Sequence, residues 1–265
     1  MTGRVAVTGA SGKSGRAVTA ALVARGAEVV PIGRRAGPRL AGVLRGCDAA
    51  YLIAPNLHPD EPALVAEALA AARQAGVGRV VHHSVAAPYA PAMPHHLGKA
   101  RAEDRVRRSG LPWTILQPCA YVENLLPPLQ NGEATLRVPY DVRRPFGLVH
   151  LGDVAEAAAT VLLDGGHVGA TYELGGPRLV TVADVAEAAS AVLGRPVRAE
   201  RQAPEAWAAG PGAGLPPRER AWLLAMFGCY DEHGLPTGAL PLTSLLGRPP
   251  TGVAAVLRAL PSPAG

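Results

Sequence analysis

Three glycines at positions 9, 12 and 15 fall in the run Val5-Ala-Val-Thr-Gly-Ala-Ser-Gly-Lys-Ser-Gly-Arg16, between an apolar stretch that reads as a strand and a segment that reads as a helix. Glycine lets a backbone turn sharply and approach a phosphate, and the helix start behind it offers free N–H groups and a partial positive charge. The chemistry is capture of a nucleotide diphosphate, with Gly9, Ser11, Gly12, Lys13, Ser14 and Gly15 as the cradle. The spacing is GxxGxxG rather than GxGxxG, and Gly12-Lys13-Ser14 does not follow an earlier glycine at the GxxxxGK[ST] spacing of a Walker loop; a purely structural turn is the competing account. About 20 residues past the glycines an NAD enzyme carries Asp or Glu for the ribose. This chain has Ile32-Gly33-Arg34-Arg35 there. A guanidinium grips a 2′-phosphate with two parallel charge-assisted bonds, so the pattern points to NADP (NADPH), with Arg34 as first contact and Arg35 or Lys13 as second. An ordinary exposed arginine pair is the alternative.

These residues need a frame that brings strand ends together. Apolar runs at Val5 to Thr8, Glu28 to Ile32, Ala49 to Ile53, Arg79 to Ser84 and Trp113 to Gln117 alternate with helical patterns at about Ser14 to Arg25, Pro62 to Ala75 and His96 to Ser109. Gly26, Gly76 and Gly110 close those helices, as C-terminal stops do. The alternation predicts an α/β, doubly wound parallel sheet of Rossmann type over residues 1–118, with ligands beyond the carboxyl ends of the strands. Residues 119–265 read as a smaller α+β part that partly completes the core and covers the substrate cleft. It has helices at Asp153 to Leu163, Val182 to Leu193 and about Thr251 to Leu260, and a strand near Thr171 to Leu174. The Pro, Gly and Ala-rich stretch from Pro204 to Pro217 reads as a mobile loop or lid.

Composition narrows the classes. The chain has 265 residues, 48% hydrophobic but only 4% aromatic, and its 31 glycines and 26 prolines show no collagen period. No basic and apolar leader opens it and no 18-residue apolar window spans it, which implies no membrane and a cytoplasmic location. Three cysteines without CxxC or Cys/His spacing imply neither a disulfide framework nor a metal site. The net charge of +5 comes without an aromatic platform or nucleic-acid motif, so the expected partner is a small-molecule substrate and not a nucleic acid. No heptad seam identifies an interface, and a homodimer stays open. Of the 26 basic residues only Lys13 and Lys99 are lysines; a lysine kept against that habit suits a place that needs a compact ammonium.

Taken in order, the glycine turn, Asp48-Ala-Ala-Tyr-Leu-Ile-Ala-Pro55, Gly78-Arg-Val-Val-His-His-Ser84 and Ser109-Gly-Leu-Pro-Trp-Thr-Ile-Leu-Gln-Pro118 resemble the NmrA-like group of atypical short-chain dehydrogenases/reductases. Glu123-Asn124, His150-Leu-Gly-Asp153, Tyr172-Glu-Leu-Gly-Gly-Pro177 and Leu246-Gly-Arg-Pro-Pro-Thr251 extend that resemblance over nearly the whole chain. It implies an NADPH-dependent oxidoreductase acting on a small carbonyl, quinone or conjugated alkene, with Ala54, Pro55 and Ser84 at strand ends along the cofactor. The family's Tyr-x-x-x-Lys pair reads here His95-His96-Leu97-Gly98-Lys99, so Lys99 is in register and the tyrosine has become His95. The usual catalytic serine appears as Val85 behind Ser84.

The departure admits two outcomes. In one, His95 supplies a proton, its ordinary pKa of about 6.5 suiting neutral pH, while Lys99 anchors the ribose. In the other, the fold binds nucleotide without turnover, as a redox sensor; an epimerase or cyclase that recycles its cofactor is a further alternative. Tyr89 and Tyr121 are reserve proton donors. Pro118, Cys119 and Ala120 are expected against the nicotinamide by main chain, with Cys119 an apolar filler, and Asn124 and Glu123 along the substrate side. Asp153 is expected to cap its helix. Leu, Val, Trp207 and Trp222 are expected to shape the substrate pocket.

Overall fold

The computed structural model describes residues 3–33 and 37–260. In chain order the elements are β1 (Arg4–Thr8), α1 (Lys13–Ala24), β2 (Glu28–Ile32), α2 (Leu40–Leu44), β3 (Ala49–Leu52), α3 (Glu61–Ala75), β4 (Arg79–His83), α4 (Pro94–Arg107) and β5 (Trp113–Pro118). There follow α5 (Leu126–Gln130), β6 (Thr135–Val138), α6 (Leu151–Leu163), β7 (Thr171–Leu174), α7 (Val182–Leu193) and β8 (Arg198–Arg201). The chain closes with α8 (Pro204–Ala209), α9 (Pro217–His233), α10 (Leu240–Leu246) and α11 (Val253–Arg258).

Six strands form one parallel sheet in the order β2-β1-β3-β4-β5-β7, and β6 pairs with β8 in a separate parallel ribbon. Strand alternation divides the apolar side chains between two layers. Val5, Val7, Tyr51, Val81 and Leu116 pack with α1 and α6 on one face. Ala6, Ala50, Leu52, Val80 and Ile115 pack with α3 and α4 on the other. Burial on both faces explains why these strands read as continuous apolar runs. Strand order reverses at β1, so the crevice between the ends of β1 and β3 is the switch point at which sheets of this kind open to ligands.

Local chemistry sets the helix ends. Asp60 accepts from the Ala63 N–H to cap α3, and Gly76 closes it at φ +74°, a left-handed value that an L side chain resists. Thr181 and Asp184 form a reciprocal capping box on α7. The stretch expected as a mobile lid is instead ordered: Pro204 starts α8, and Trp207 packs edge-on against Phe227 of α9 at 4.8 Å. The 17-residue helix α9 was hidden in that stretch's shadow, since its apolar residues fall all round the helix and give no period.

Candidate functional site

The glycine turn is built for close approach. Gly9 takes φ +63°, and a Cβ on Gly15 would stand 2.2 Å from the Gly9 carbonyl oxygen, so only glycine lets α1 start this near β1. The Gly12 N–H donates to the Gly9 carbonyl, and the first backbone bond of α1 runs from Arg16 to Gly12. No side chain caps the helix. The N–H groups of Lys13, Ser14 and Gly15 therefore precede the helical ladder and face an incoming anion. Thr8 Oγ1 accepts from the Ile53 N–H at 2.7 Å and ties the ends of β1 and β3 together.

A cleft of about 1590 Å³ runs from this turn along the strand ends. One arm passes Gly33, Leu40, Ala41, Ala71 and Gln74; the other ends at His95, His96, Lys99, Leu223, Met226 and Tyr230. Lys99 Nζ donates to Glu61 Oε1 at 2.9 Å, and the Glu61 carboxylate is buried. Four residues on, buried Glu103 accepts from Ser84 Oγ at 2.5 Å, from Gln117 Nε2 at 2.7 Å and from Arg107. Ser84 is thus held by a carboxylate. His95 lies nearly parallel to Trp222, ring centroids 6.4 Å apart. Burial first, then the charge of Lys99, push its pKa down to about 3, so its imidazole is neutral at pH 7. This overturns the expectation of a histidine titrating near neutrality. His96, down to about 4 chiefly through burial, pairs through Nδ1 with the Ala87 carbonyl.

On the opposite face of β4, a neutral His83 bridges two phenols. Its Nδ1 is 2.7 Å from the Tyr51 hydroxyl and its Nε2 is 3.2 Å from that of Tyr121. Burial, then Lys99, bring its pKa to about 3. Lys13 Nζ sits 5.2 Å above the Tyr121 ring and donates to Asn124 Oδ1 at 2.9 Å. Burial lowers the Lys13 pKa, partly offset by Glu123.

The cleft gathers Gly9, Ser11, Gly12, Lys13, Ser14, Gly15, Ala54, Pro55, Ser84, His95, Lys99, Pro118, Cys119, Ala120, Tyr121 and Asn124. Arg34 and Arg35 lie outside the described residues. Several expectations are corrected. Lys13, offered as a possible second contact for a 2′-phosphate, donates to Asn124 and stands over the Tyr121 ring. Tyr89 is 63% exposed, outside the cleft, with its hydroxyl near Arg107. Glu123 accepts from His150 and from the Leu151 N–H, capping α6 rather than lining the substrate side. Asp153 does not cap α6; it accepts from Arg248 and from the Thr251 backbone and hydroxyl, clasping the late segment to that helix. Trp207 and Trp222 do not line the cleft, and Leu223, Met226 and Tyr230 of α9 do. Burial raises the Cys119 thiol to about 11, in keeping with a filler. Glu61, Glu103, His83 and Tyr51 were missed, although Glu103 stands one turn beyond Lys99 and Tyr51 and His83 share a sheet face.

The residues present fit a dinucleotide: three N–H groups with no hydrogen-bond partner among the described residues and a glycine cradle for the diphosphate, a cleft continuing past Leu40, Ala41 and Ala71, and Lys99 at the far arm. Among the described residues no cluster of three His, Cys, Asp or Glu side chains could hold a metal, and no helix is long and apolar enough to cross a membrane.

The sequence model of the NmrA-like family matches residues 25–244. The NAD(P)H azoreductase of Xenophilus azovorans is 33% identical over 184 residues, covering 67% of this chain and 62% of its own length, so the chain spans under two thirds of that relative. The (4-alkanoyl-5-oxo-2,5-dihydrofuran-3-yl)methyl phosphate reductase of Streptomyces griseus is 32% identical over 219 residues, 74% of this chain and 76% of that one. In fold, the NADPH-dependent quinone oxidoreductase of Escherichia coli, complexed with NADPH, superposes with a TM-score of 0.81 over 96% of this chain and 98% of its own, at 23% identity.

Proposed function

The chain belongs to the NmrA-like family, and from that premise we propose that it is an NADPH-dependent oxidoreductase acting on a small, electron-poor organic substrate such as a carbonyl, quinone or conjugated alkene. The observation that carries this reading is the continuity of one cleft from the uncapped start of α1 to Lys99 and the apolar side chains of α9. The names of the azoreductase and of the dihydrofuranyl phosphate reductase support a reductase.

When bound, NADPH supplies a hydride, the equivalent of two electrons. The protein's own work is positioning. The N–H groups of Lys13, Ser14 and Gly15 hold the diphosphate, and Arg34 and Arg35 take the 2′-phosphate. Lys99, oriented by Glu61, reaches the ribose at the substrate arm. Pro118, Cys119 and Ala120 flank the nicotinamide by main chain. His95, neutral at pH 7, would act as a polar wall of the substrate pocket rather than as an imidazolium acid, and the proton that balances hydride transfer would be taken up from solvent after the transfer. Leu223, Met226 and Tyr230 exclude water over the acceptor.

The test is a binding titration of NADPH and NADH to the wild type and to Arg34→Ala, followed by nicotinamide absorbance with quinone, azo and enone acceptors. Preference for NADPH, lost in Arg34→Ala, together with oxidation by at least one acceptor, is expected. Preference for NADH would refute the cofactor assignment. Tight NADPH binding without turnover of any acceptor would favour a non-catalytic sensor.

A further inference from the structure

The Tyr51, His83 and Tyr121 chain has a direction that can be worked out from its partners. Tyr51 is fully buried, and among the described residues His83 is the one partner of its hydroxyl. A buried hydroxyl that only accepts leaves its hydrogen unpaired at a desolvation cost, so Tyr51 donates to Nδ1. A neutral imidazole carries one N–H and one lone pair; with Nδ1 accepting, Nε2 carries the hydrogen and donates to the Tyr121 oxygen. The hydrogen of Tyr121 is then released from His83 and points elsewhere. The phenol oxygen lies beside the Ser14 hydroxyl at the start of α1, and Lys13 stands over the ring. Desolvation keeps the phenol protonated well beyond the ordinary tyrosine range, so the donor persists at every working pH.

We propose that Tyr121 is a diphosphate ligand of the bound dinucleotide, its O–H joining the N–H groups of α1, and that Tyr51 and His83 are positioning residues that hold it as a donor. The inference rests on the cofactor reading above. Neither positioning residue needs to touch the cofactor, and Tyr51, with no exposed surface, has no route to it. The placement also accounts for Asn124: by accepting from Lys13 it keeps that ammonium over the phenol and beside the diphosphate turn.

The test uses the isosteric variants Tyr121→Phe and Tyr51→Phe and the double variant, with NADPH affinity read by fluorescence titration and folding checked by thermal melts without ligand. Tyr121→Phe is expected to weaken NADPH about tenfold or more, the worth of a hydrogen bond to a charged group. Tyr51→Phe is expected to weaken it about threefold, through a tautomer that is no longer fixed. In the double variant the Tyr51 effect disappears, because its effect passes through the missing hydroxyl. 2′-AMP, which carries the adenosine 2′-phosphate and no diphosphate, binds wild type and Tyr121→Phe alike. The inference is overturned if Tyr121→Phe leaves NADPH affinity unchanged, if 2′-AMP weakens in parallel, or if the Tyr51 effect survives in the double variant. Wild type that binds 2′-AMP and NADPH equally well would overturn the inference too; wild type that binds neither would instead sink the cofactor reading beneath it.

Discussion

Replacing Gly15 by alanine puts one methyl group where the turn has no room. The added Cβ would stand 2.2 Å from the Gly9 carbonyl oxygen and 2.7 Å from the Ala10 Cα, both backbone atoms that cannot swing aside. Real Cβ contacts essentially never fall under 3.0 Å, so α1 and the turn must separate by about 0.8 Å. Overpacking of this kind costs about 1–3 kcal/mol, and at about 2–4 °C per kcal/mol for a chain of this size the melting temperature should fall by roughly 2–12 °C. The larger effect falls on the ligand. A shift of that size stretches hydrogen bonds from the N–H groups of Lys13, Ser14 and Gly15 to a diphosphate beyond useful length. Losing two charge-assisted bonds at about 1.5 kcal/mol each weakens NADPH by about a hundredfold. Calorimetric titration of the folded variant at a temperature below its melt reads this directly. Wild-type affinity in Gly15→Ala would refute the placement of the diphosphate at this turn.

Gly228 lies exposed within α9 with nothing within 4 Å of an added Cβ, so Gly228→Ala should stabilise by about 0.5–1 kcal/mol, read as a raised urea midpoint. Glu103→Ala strips the acceptor shared by Ser84, Gln117 and Arg107 in a buried setting and should cost about 3 kcal/mol in the same assay; a loss under 1 kcal/mol would count against the network. Acid should destabilise the fold early. His83 and His95 at about 3 and His96 at about 4 have folded values below the unfolded one, so the unfolded chain binds more protons and stability falls as pH drops from about 6.5 toward those values, by up to about 1.4 kcal/mol per pH unit for each. His150, raised by its bond to Glu123, opposes this. Melts that coincide at pH 7 and pH 5 would refute the burial argument.

The sheet was legible because its central strands β1, β3, β4 and β5 are buried on both faces and glycines follow the helices between them, and the edge strands Glu28 to Ile32 and Thr171 to Leu174 and the helix Val182 to Leu193 also fall where the pattern puts them. The glycine turn and Lys99 were legible because they are local or lie in a fixed helical register. What failed was non-local. Glu61 and Glu103 are separated by 42 positions and by a whole strand, yet one pairs with Lys99 of α4 and the other, on α4, holds Ser84, and no spacing announces that. The pKa of His95 depends on the cover that α9 lays over it, and α9 has no periodicity to read. Asp153 looked like a cap from its neighbours in sequence, and it bonds instead to residues nearly a hundred positions later.

That clasp between Asp153 and the Arg248 to Thr251 segment bears on how the chain is made. The glycine turn is synthesised before the helix that covers α1, the strand that pairs with the free edge of β5, and the segment that fastens them, which all come from later in the chain. A nascent chain paused midway would present an unpaired strand edge and the bare apolar stripe of Val18 and Leu22, the surfaces that invite association with other chains. Truncation just before Arg248 is accordingly a harsher lesion than its few lost residues imply, because it strips the buried Asp153 carboxylate of the partners it has here.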